Sequence, residues 1–215
     1  AFAAWLEVSL PLLVIGACEI VLQNADILVI SRFMTPTDVA IYFAAAKTMS
    51  LVMFVHYAVG SAVANRFAAL HARGDKESLA SFVRDAVNWT FWPSLATAIG
   101  LLLLGKPLLW LFGPQFADGY PVMLVLVVGF LMRASMGPSE FLLNMMGEQQ
   151  LCAAVLAVTA LLNVALLFAL VPTFGLLGAA AATSVSLTTA AILNYLVARR
   201  RLELEISIWS SLVRR

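Results

Sequence analysis

Apolar residues run along this chain in six long stretches, 9–30, 41–65, 87–104, 120–144, 150–171 and 175–197. Short connections that carry charge, glycine or proline separate them. A helix of about 20 apolar residues spans the hydrocarbon core of a bilayer. Lipid supplies no water for unpaired backbone groups, so such stretches must be helices rather than isolated strands. The pattern predicts an all-α polytopic membrane protein: one bundle of six transmembrane helices over residues 1–201, then a cytoplasmic tail at 202–215 that can continue beyond Arg215.

The connections carry their own patterns. In 71–88, Asp75 is placed to cap a helix, and Leu79, Phe82, Val83, Ala86 and Val87 recur at helical spacing with Arg84 and Asp85 off the stripe. This reads as an amphipathic helix lying in the membrane interface. The segment 105–121, GKPLLWLFGPQFADGYP, has glycine and proline at both ends and predicts a short interfacial helix over Pro107–Phe112 followed by a turn. Residues 202–209, LELEISIW, alternate strictly, as a strand would.

Polar residues interrupt the apolar stretches in register. Glu19, Gln23 and Asp26 share one face of the first helix. Lys47, Ser50, Ser61 and Asn65 form a stripe on the second, and Arg133, Gly137, Glu140 and Asn144 on the fourth. Thr159 and Asn163 pair on the fifth; Thr183, Ser186 and Asn194 mark the sixth. Polar groups facing lipid would go unsatisfied, so these stripes face the bundle interior or a wet cavity. Arg133, Glu140, Lys47 and Asn144 are the substrate-binding candidates of that cavity.

Charges at this depth need partners. Asp26 and Lys47 lie near the outer ends of neighbouring antiparallel helices, where a buried structural ion pair is expected; a coupling-ion or substrate role, with Glu19, is the alternative. Arg133 and Glu140 are seven residues apart, roughly 10 Å along one helix, too far to pair well. Arg133 then needs another partner, a wet cavity or an anionic ligand, for which a planar guanidinium suits phosphate. Glu140 suits helix–helix hydrogen bonding as well as ligand contact. Pro138 lies between them and removes a backbone donor, marking a kink or hinge; Pro11 and Pro93 interrupt the first and third helices similarly. Gly175, Gly178 and Ala182 open the sixth helix with small residues that allow close helix approach.

Composition strengthens the membrane reading. Hydrophobic residues make up 62% and charged residues 12% of the 215, against roughly 45–50% and 25% in soluble domains. Arg66, Arg73, Lys76 and Arg84 follow the second stretch, and Arg199, Arg200, Arg201, Arg214 and Arg215 follow the sixth; the opposite connections hold only Arg32 and Lys106. Positive charge stays in the cytoplasm, so both termini are expected there. The chain starts at Ala1 without an initiator methionine, as a fragment of a longer protein would. Cys18 and Cys152 lie within or beside apolar stretches and show neither a disulfide framework nor metal spacing.

Several superficial signals fail on mechanism. GLLLLGK at 100–106 lacks the hydroxyl residue a phosphate-binding loop needs, because Pro107 follows. His56 and His71 have no partner ligands at zinc spacing. Asn88-Trp89-Thr90 forms a glycosylation triplet on the expected cytoplasmic side. No nucleophile–base arrangement appears, so no catalytic residue, metal or cofactor is expected and the chain is not read as an enzyme.

Three segments resemble one family. LFGPQFADGYPVMLVL at 111–126, VPTFGLLGAAAATSVS at 171–186, and NADILVISRF with IYFAAAK at 24–33 and 41–47 resemble stretches of the carboxyl-terminal lobe of polysaccharide flippases, within the multidrug/oligosaccharidyl-lipid/polysaccharide exporter superfamily. The resemblance covers about 9–200. It implies two six-helix lobes that move an undecaprenyl-pyrophosphate-linked oligosaccharide across the bacterial inner membrane by alternating access, for exopolysaccharide, O-antigen or capsule. Basic cavity residues would meet the pyrophosphate, here Arg133 and Lys47. This chain holds one lobe, so a second lobe is expected as a missing amino-terminal half or another subunit, with a polymerase or glycosyltransferase as further partner. Two other functions stay open: a cation-coupled multidrug antiporter of the same superfamily, and a non-transporting membrane subunit of a polysaccharide synthase complex.

Overall fold

The computed structural model describes residues 2–202 and 208, with side chains from Ser9 onward. The alternating tail expected at 202–209 and the cytoplasmic tail to 215 lie almost wholly outside the described residues. Within them the chain is helical throughout and contains no strand.

Helix α1, Phe2–Phe33, ends at a tight turn into α2, Pro36–Met49. The turn is set locally. The Thr35 hydroxyl accepts the Asp38 N–H, the Asp38 carboxylate accepts the Thr35 N–H, and Pro36 occupies the first helical position where no donor is needed. Only Ser50, itself in helical conformation, separates α2 from α3, Leu51–Ala72. The two make one crossing, Pro36–Ala72, longer at both ends than the apolar stretch 41–65.

The third crossing corrects an expectation. Residues 71–88 do not form a separate helix in the interface: α4 runs without a break over Lys76–Leu103. No glycine or proline stands between Asp75 and Trp92, so nothing stops the helix, and Pro93 is accommodated inside it. The stripe Leu79, Phe82, Val83, Ala86 and Val87 is buried, packed with Phe67 of α3. Asp75 caps the helix as expected, accepting the Ser78 N–H at 3.0 Å. Hydrogen bonds from the Ser78 side chain and backbone hold this carboxyl below the usual aspartate range. The cap is therefore at full strength above about pH 3.9 and fades as pH falls below it.

Helix α5, Gly105–Trp110, and a 3-10 turn, Pro114–Gly119, form the connection between the third and fourth crossings. The fourth crossing is not one kinked helix over 120–144. It breaks into α6, Tyr120–Ser135, and α7, Ser139–Met145, at Gly137, whose φ of 60° ends the helix before Pro138.

Helix α8, Gln149–Leu202, has 54 residues and would reach roughly 80 Å if straight, far more than a bilayer. It folds back on itself. At Gly175 the backbone takes φ 57° and ψ −134°, and a Cβ on Gly178 would lie 2.3 Å from the carbonyl oxygen of Leu170. Cys152 and Leu156 from its first limb share an apolar cluster with Ala190 and Ala198 from its second. Among the described residues, five helices are long and apolar enough to cross a membrane, the last of them folded at Gly175, and the small residues after that point serve the fold-back.

Two apolar layers fill the interior. One gathers Ile30, Tyr42, Met49, Met123 and Leu167; the other gathers Phe67, Val83, Leu142, Leu156 and Ala190. They meet near Ala25 and Leu22 on α1, and near Leu187 and Ala190 on α8. Large apolar side chains such as Leu13, Leu28, Phe54, Leu161 and Phe174 cover the outside. An apolar exterior around a partly polar interior is what lipid demands. Helices α6 and α8 touch through Gly129, where a Cβ would stand 2.6 Å from Ser184 Cα, and the Ser184 hydroxyl donates to the Val125 carbonyl at 2.7 Å. Gly129→Val should cost about 1–3 kcal/mol by overpacking. Gly100→Ala, which meets nothing within 4 Å, should not destabilise the bundle. Melting of both variants in detergent, followed by gel filtration, checks this contrast.

Candidate functional site

The break in the fourth crossing builds the polar centre of the lobe. Arg133 lies one turn before it on α6 and Glu140 just after it on α7. Along a straight helix they would stand roughly 10 Å apart. The reversal at Gly137 instead brings them into contact, with Arg133 Nη2 donating to Glu140 Oε2 at 2.5 Å. The expectation that these two charges pair poorly is thus overturned, because it assumed an unbroken helix.

A second carboxylate completes the arrangement. Glu19 of α1 approaches Arg133 Nη2 at 3.5 Å. Tyr57 of α3 donates its hydroxyl to Glu19 Oε1 at 3.5 Å, and Gln23 Nε2 donates to the Tyr57 oxygen at 3.4 Å. The guanidinium also stands 6.0 Å over the Tyr57 ring, within cation–π range. From α8, Asn194 Nδ2 donates to Glu140 Oε1 at 3.4 Å. Arg133 is 6% and Glu140 7% exposed, while the Glu19 side chain is 26% exposed. Breaking a buried charge pair costs about 3–5 kcal/mol, so Glu140 is the partner that Arg133 cannot lose. Glu19 is longer-range and wetter, and is the exchangeable one. Against this cluster packs His56, buried between Tyr57 and Phe141, with neither ring nitrogen hydrogen-bonded.

Arg133 and Glu19 open onto a cavity of about 360 Å³ between α1, α2, α3, α6 and the second limb of α8. Gln23, Asp26, Lys47 and Thr183 also line it, among apolar neighbours such as Leu126 and Phe130. The Asp26–Lys47 ion pair expected from sequence does not form. The Asp26 carboxylate is taken by the Tyr42 hydroxyl at 2.7 Å and the Ile27 N–H at 2.8 Å, so two neutral donors do the work assigned to a cation. The Lys47 ammonium lies 5.6 Å over the Phe43 ring instead.

Of the four substrate-binding candidates, the structure places Arg133 and Lys47 on the cavity wall. Glu140 is buried behind Arg133, and Asn144 sits a turn further along α7 with a buried, unpartnered Oδ1. Ser61 and Asn65, expected to face inward, are exposed. Two members of the site are not among the residues that sequence pattern singles out, Tyr42 and Tyr57. Tyr57 carries a signal: it falls seven residues after Ser50 on the same stripe as Lys47. Tyr42 carries none beyond its place in an apolar run.

A helical membrane bundle with a charged cavity at its centre belongs among transporter folds, and comparison with known proteins agrees. The chain belongs to the MatE family, whose model matches residues 11–169. This is the exporter superfamily that the sequence segments resemble. The probable low-salt glycan biosynthesis flippase Agl15 of Haloferax volcanii is 22% identical over 173 residues, covering 79% of this chain. The chain spans 36% of that protein's length. No solved structure matches it.

The break at Gly137 gives a direct test. Gly137 and Gly147 both have positive φ, but only at Gly137 would a Cβ meet another side chain, Val87 Cγ2 at 2.6 Å. Gly137→Ala should therefore destabilise by about 1–3 kcal/mol more than Gly147→Ala. Equal melting temperatures for the two variants would mean the break is not held against α4.

Proposed function

We propose that this chain is one lobe of a flippase that moves a prenyl-pyrophosphate-linked oligosaccharide across a cytoplasmic membrane by alternating access. The observation that carries the reading is the cavity: Arg133 and Lys47 share its wall, inside a helical bundle whose exterior suits lipid. Membership in the MatE family and similarity to a protein named as a glycan flippase support it. Arg133 is poised for an anion. Glu140 keeps it charged and fixed, its Nε has no partner, and the weaker contact to Glu19 yields when pyrophosphate arrives. A second six-helix lobe, from the same polypeptide or another subunit, supplies the facing half of the cavity. The basic connections around Arg73 and Arg200 support a cytoplasmic position for both ends of the lobe. The source membrane is that of a bacterium, and the glycan serves a surface polysaccharide.

The test reconstitutes the complete protein, as its gene encodes it, in vesicles carrying a fluorescent prenyl-pyrophosphate oligosaccharide. Transfer between leaflets is expected. Arg133→Lys keeps the charge but loses the planar fork, and should slow transfer at least about tenfold with normal protein content. No transfer by the native protein would refute the reading.

A second reading rests on a different observation, the two carboxylates Glu19 and Asp26 on the cavity wall. They suit a coupling cation in a multidrug antiporter. That reading expects efflux of an organic cation driven by a sodium or proton gradient and lost in Glu19→Gln. Efflux that survives Glu19→Gln and Asp26→Asn would exclude it.

A further inference from the structure

A groove of about 520 Å³ lies between α3 and α4 and shares no residue with the polar cavity. The two helices run antiparallel from the turn at 73–75. Helix α3 contributes Ala58, Val59 and Ala62 to the groove, α4 contributes Phe82 and Trp89, and Arg66 stands at one end. Ala58 and Ala62 are exposed, and their short side chains leave the hollow open. The aromatic side is fixed by packing: the Phe82 ring meets Phe67 edge-on at 5.5 Å and Trp89 at 5.9 Å.

The charges of the chain set the depth of this groove. None stands between Lys47 and Arg66, and none between Asp85 and Lys106. The second of these stretches, 86–105, makes roughly 30 Å of helix, the thickness of the hydrocarbon core. Arg66 and Asp85 therefore mark the level where the polar interface gives way to hydrocarbon. From Arg66 the groove follows α3 to Ala58, roughly 12 Å into the apolar zone. Trp89 is 51% exposed beside it, at the level where membrane proteins gather aromatic side chains.

Arg66 is exposed, and its guanidinium lies 4.5 Å over the Phe82 ring. It makes no ion pair with Asp85 or any other described residue. The ring holds the face of the guanidinium and leaves its N–H edge for a ligand. Arg73, also exposed, falls on the same face of α3 two turns nearer the end of the hairpin. The cationic end of the groove is thus at headgroup level and the apolar remainder at acyl-chain level.

We propose that this groove binds an anionic phospholipid of the surrounding leaflet, its phosphate on the Arg66 guanidinium and one acyl chain along Ala62 and Ala58 beside Trp89. A soluble anion has no use for the apolar part. A chain without a phosphate leaves the Arg66 donors unused. A phospholipid meets both at the depths where each belongs. The bound chain fills space that side chains leave between α3 and α4, so it ties the hairpin together and makes the stability of the lobe depend on the charge of the leaflet.

The experiment places the complete protein in phosphatidylcholine nanodiscs with a trace of phosphatidylglycerol carrying a diazirine on its acyl chain, and maps the label by mass spectrometry. Label is expected on the peptides holding 58–62 and Trp89. Unlabelled phosphatidylglycerol should compete, whereas diacylglycerol, which lacks the phosphate, and glycerol phosphate, which lacks the chains, should not. Arg66→Gln should reduce label about tenfold and Arg66→Lys, which keeps the charge, should retain most of it. Ala62→Trp, a change at an exposed position, should fill the groove and block label while the melting temperature in detergent stays native. Added phosphatidylglycerol should raise the melting temperature of the native protein and leave that of Arg66→Gln unchanged. Label spread evenly over the bundle, equal label in Arg66→Gln, or equal competition by diacylglycerol or glycerol phosphate would overturn the inference. Retention of the label when phosphatidylglycerol competes no better than bulk phosphatidylcholine would also overturn it. So would a cysteine at position 58 that crosslinks quantitatively to another protein chain, since the groove would then be an interface. This lipid is bound and not transported, so none of these results bears on transfer of the prenyl-linked substrate.

Discussion

One buried cation organises this lobe. A guanidinium inside a membrane bundle is tolerated only with a close carboxylate and enough donors and acceptors to complete the set. Arg133 obtains the carboxylate from its own polypeptide seven residues on, and that contact exists only because Gly137 and Pro138 end one helix and start another. The remaining pieces follow from the same charge. Glu19 faces inward from α1, Tyr57 offers both a ring face and a hydroxyl, and Asn194 reaches across from α8 to occupy the second oxygen of Glu140. Four crossings are thereby tied at one level, near the junction of the two apolar layers.

That arrangement also explains how a lipid-facing bundle comes to hold a polar hollow. The pair with Glu140 anchors the arginine but leaves its Nε unpaired, and the looser contact with Glu19 faces the cavity. A tightly satisfied arginine would be scaffolding, and an unpaired one would unfold the lobe. Arg133 sits between these limits, with one close carboxylate at Glu140 and a longer, more exposed contact at Glu19. The same division recurs at Asp26 and Lys47: neutral donors satisfy the acid, and the base is left available.

Much of this is legible in the residues themselves. The apolar stretches become the long helices of an all-α bundle, because length and hydropathy are set by the bilayer. The inward polar faces of α1, α6 and α8 are visible as helical spacing of Glu19, Gln23, Asp26, Arg133 and Asn194. What periodicity does not show is where a helix stops. Pro138 alone predicts a kink, yet Gly137 at positive φ turns it into a full break and lets Arg133 and Glu140 pair. Conversely, the stripe in 71–88 predicts a separate interfacial element, yet with no breaker before Pro93 it forms the first turns of α4. Partner choice is equally hidden. Opposite charges on adjacent helices suggest that Lys47 pairs with Asp26, but a tyrosine hydroxyl only sixteen residues from Asp26 takes the carboxylate instead.

The central claim is that Arg133 and Glu140 stabilise the lobe as a coupled pair across the break. A double-mutant cycle on unfolding free energy, with Arg133→Met, Glu140→Leu and the two combined, measures this directly. The account predicts that each single change costs about 3–5 kcal/mol, by stranding a buried charge, and that the double variant costs far less than their sum. Costs that add to within about 0.5 kcal/mol would contradict it, showing that the two residues act independently and that the break is held by something else.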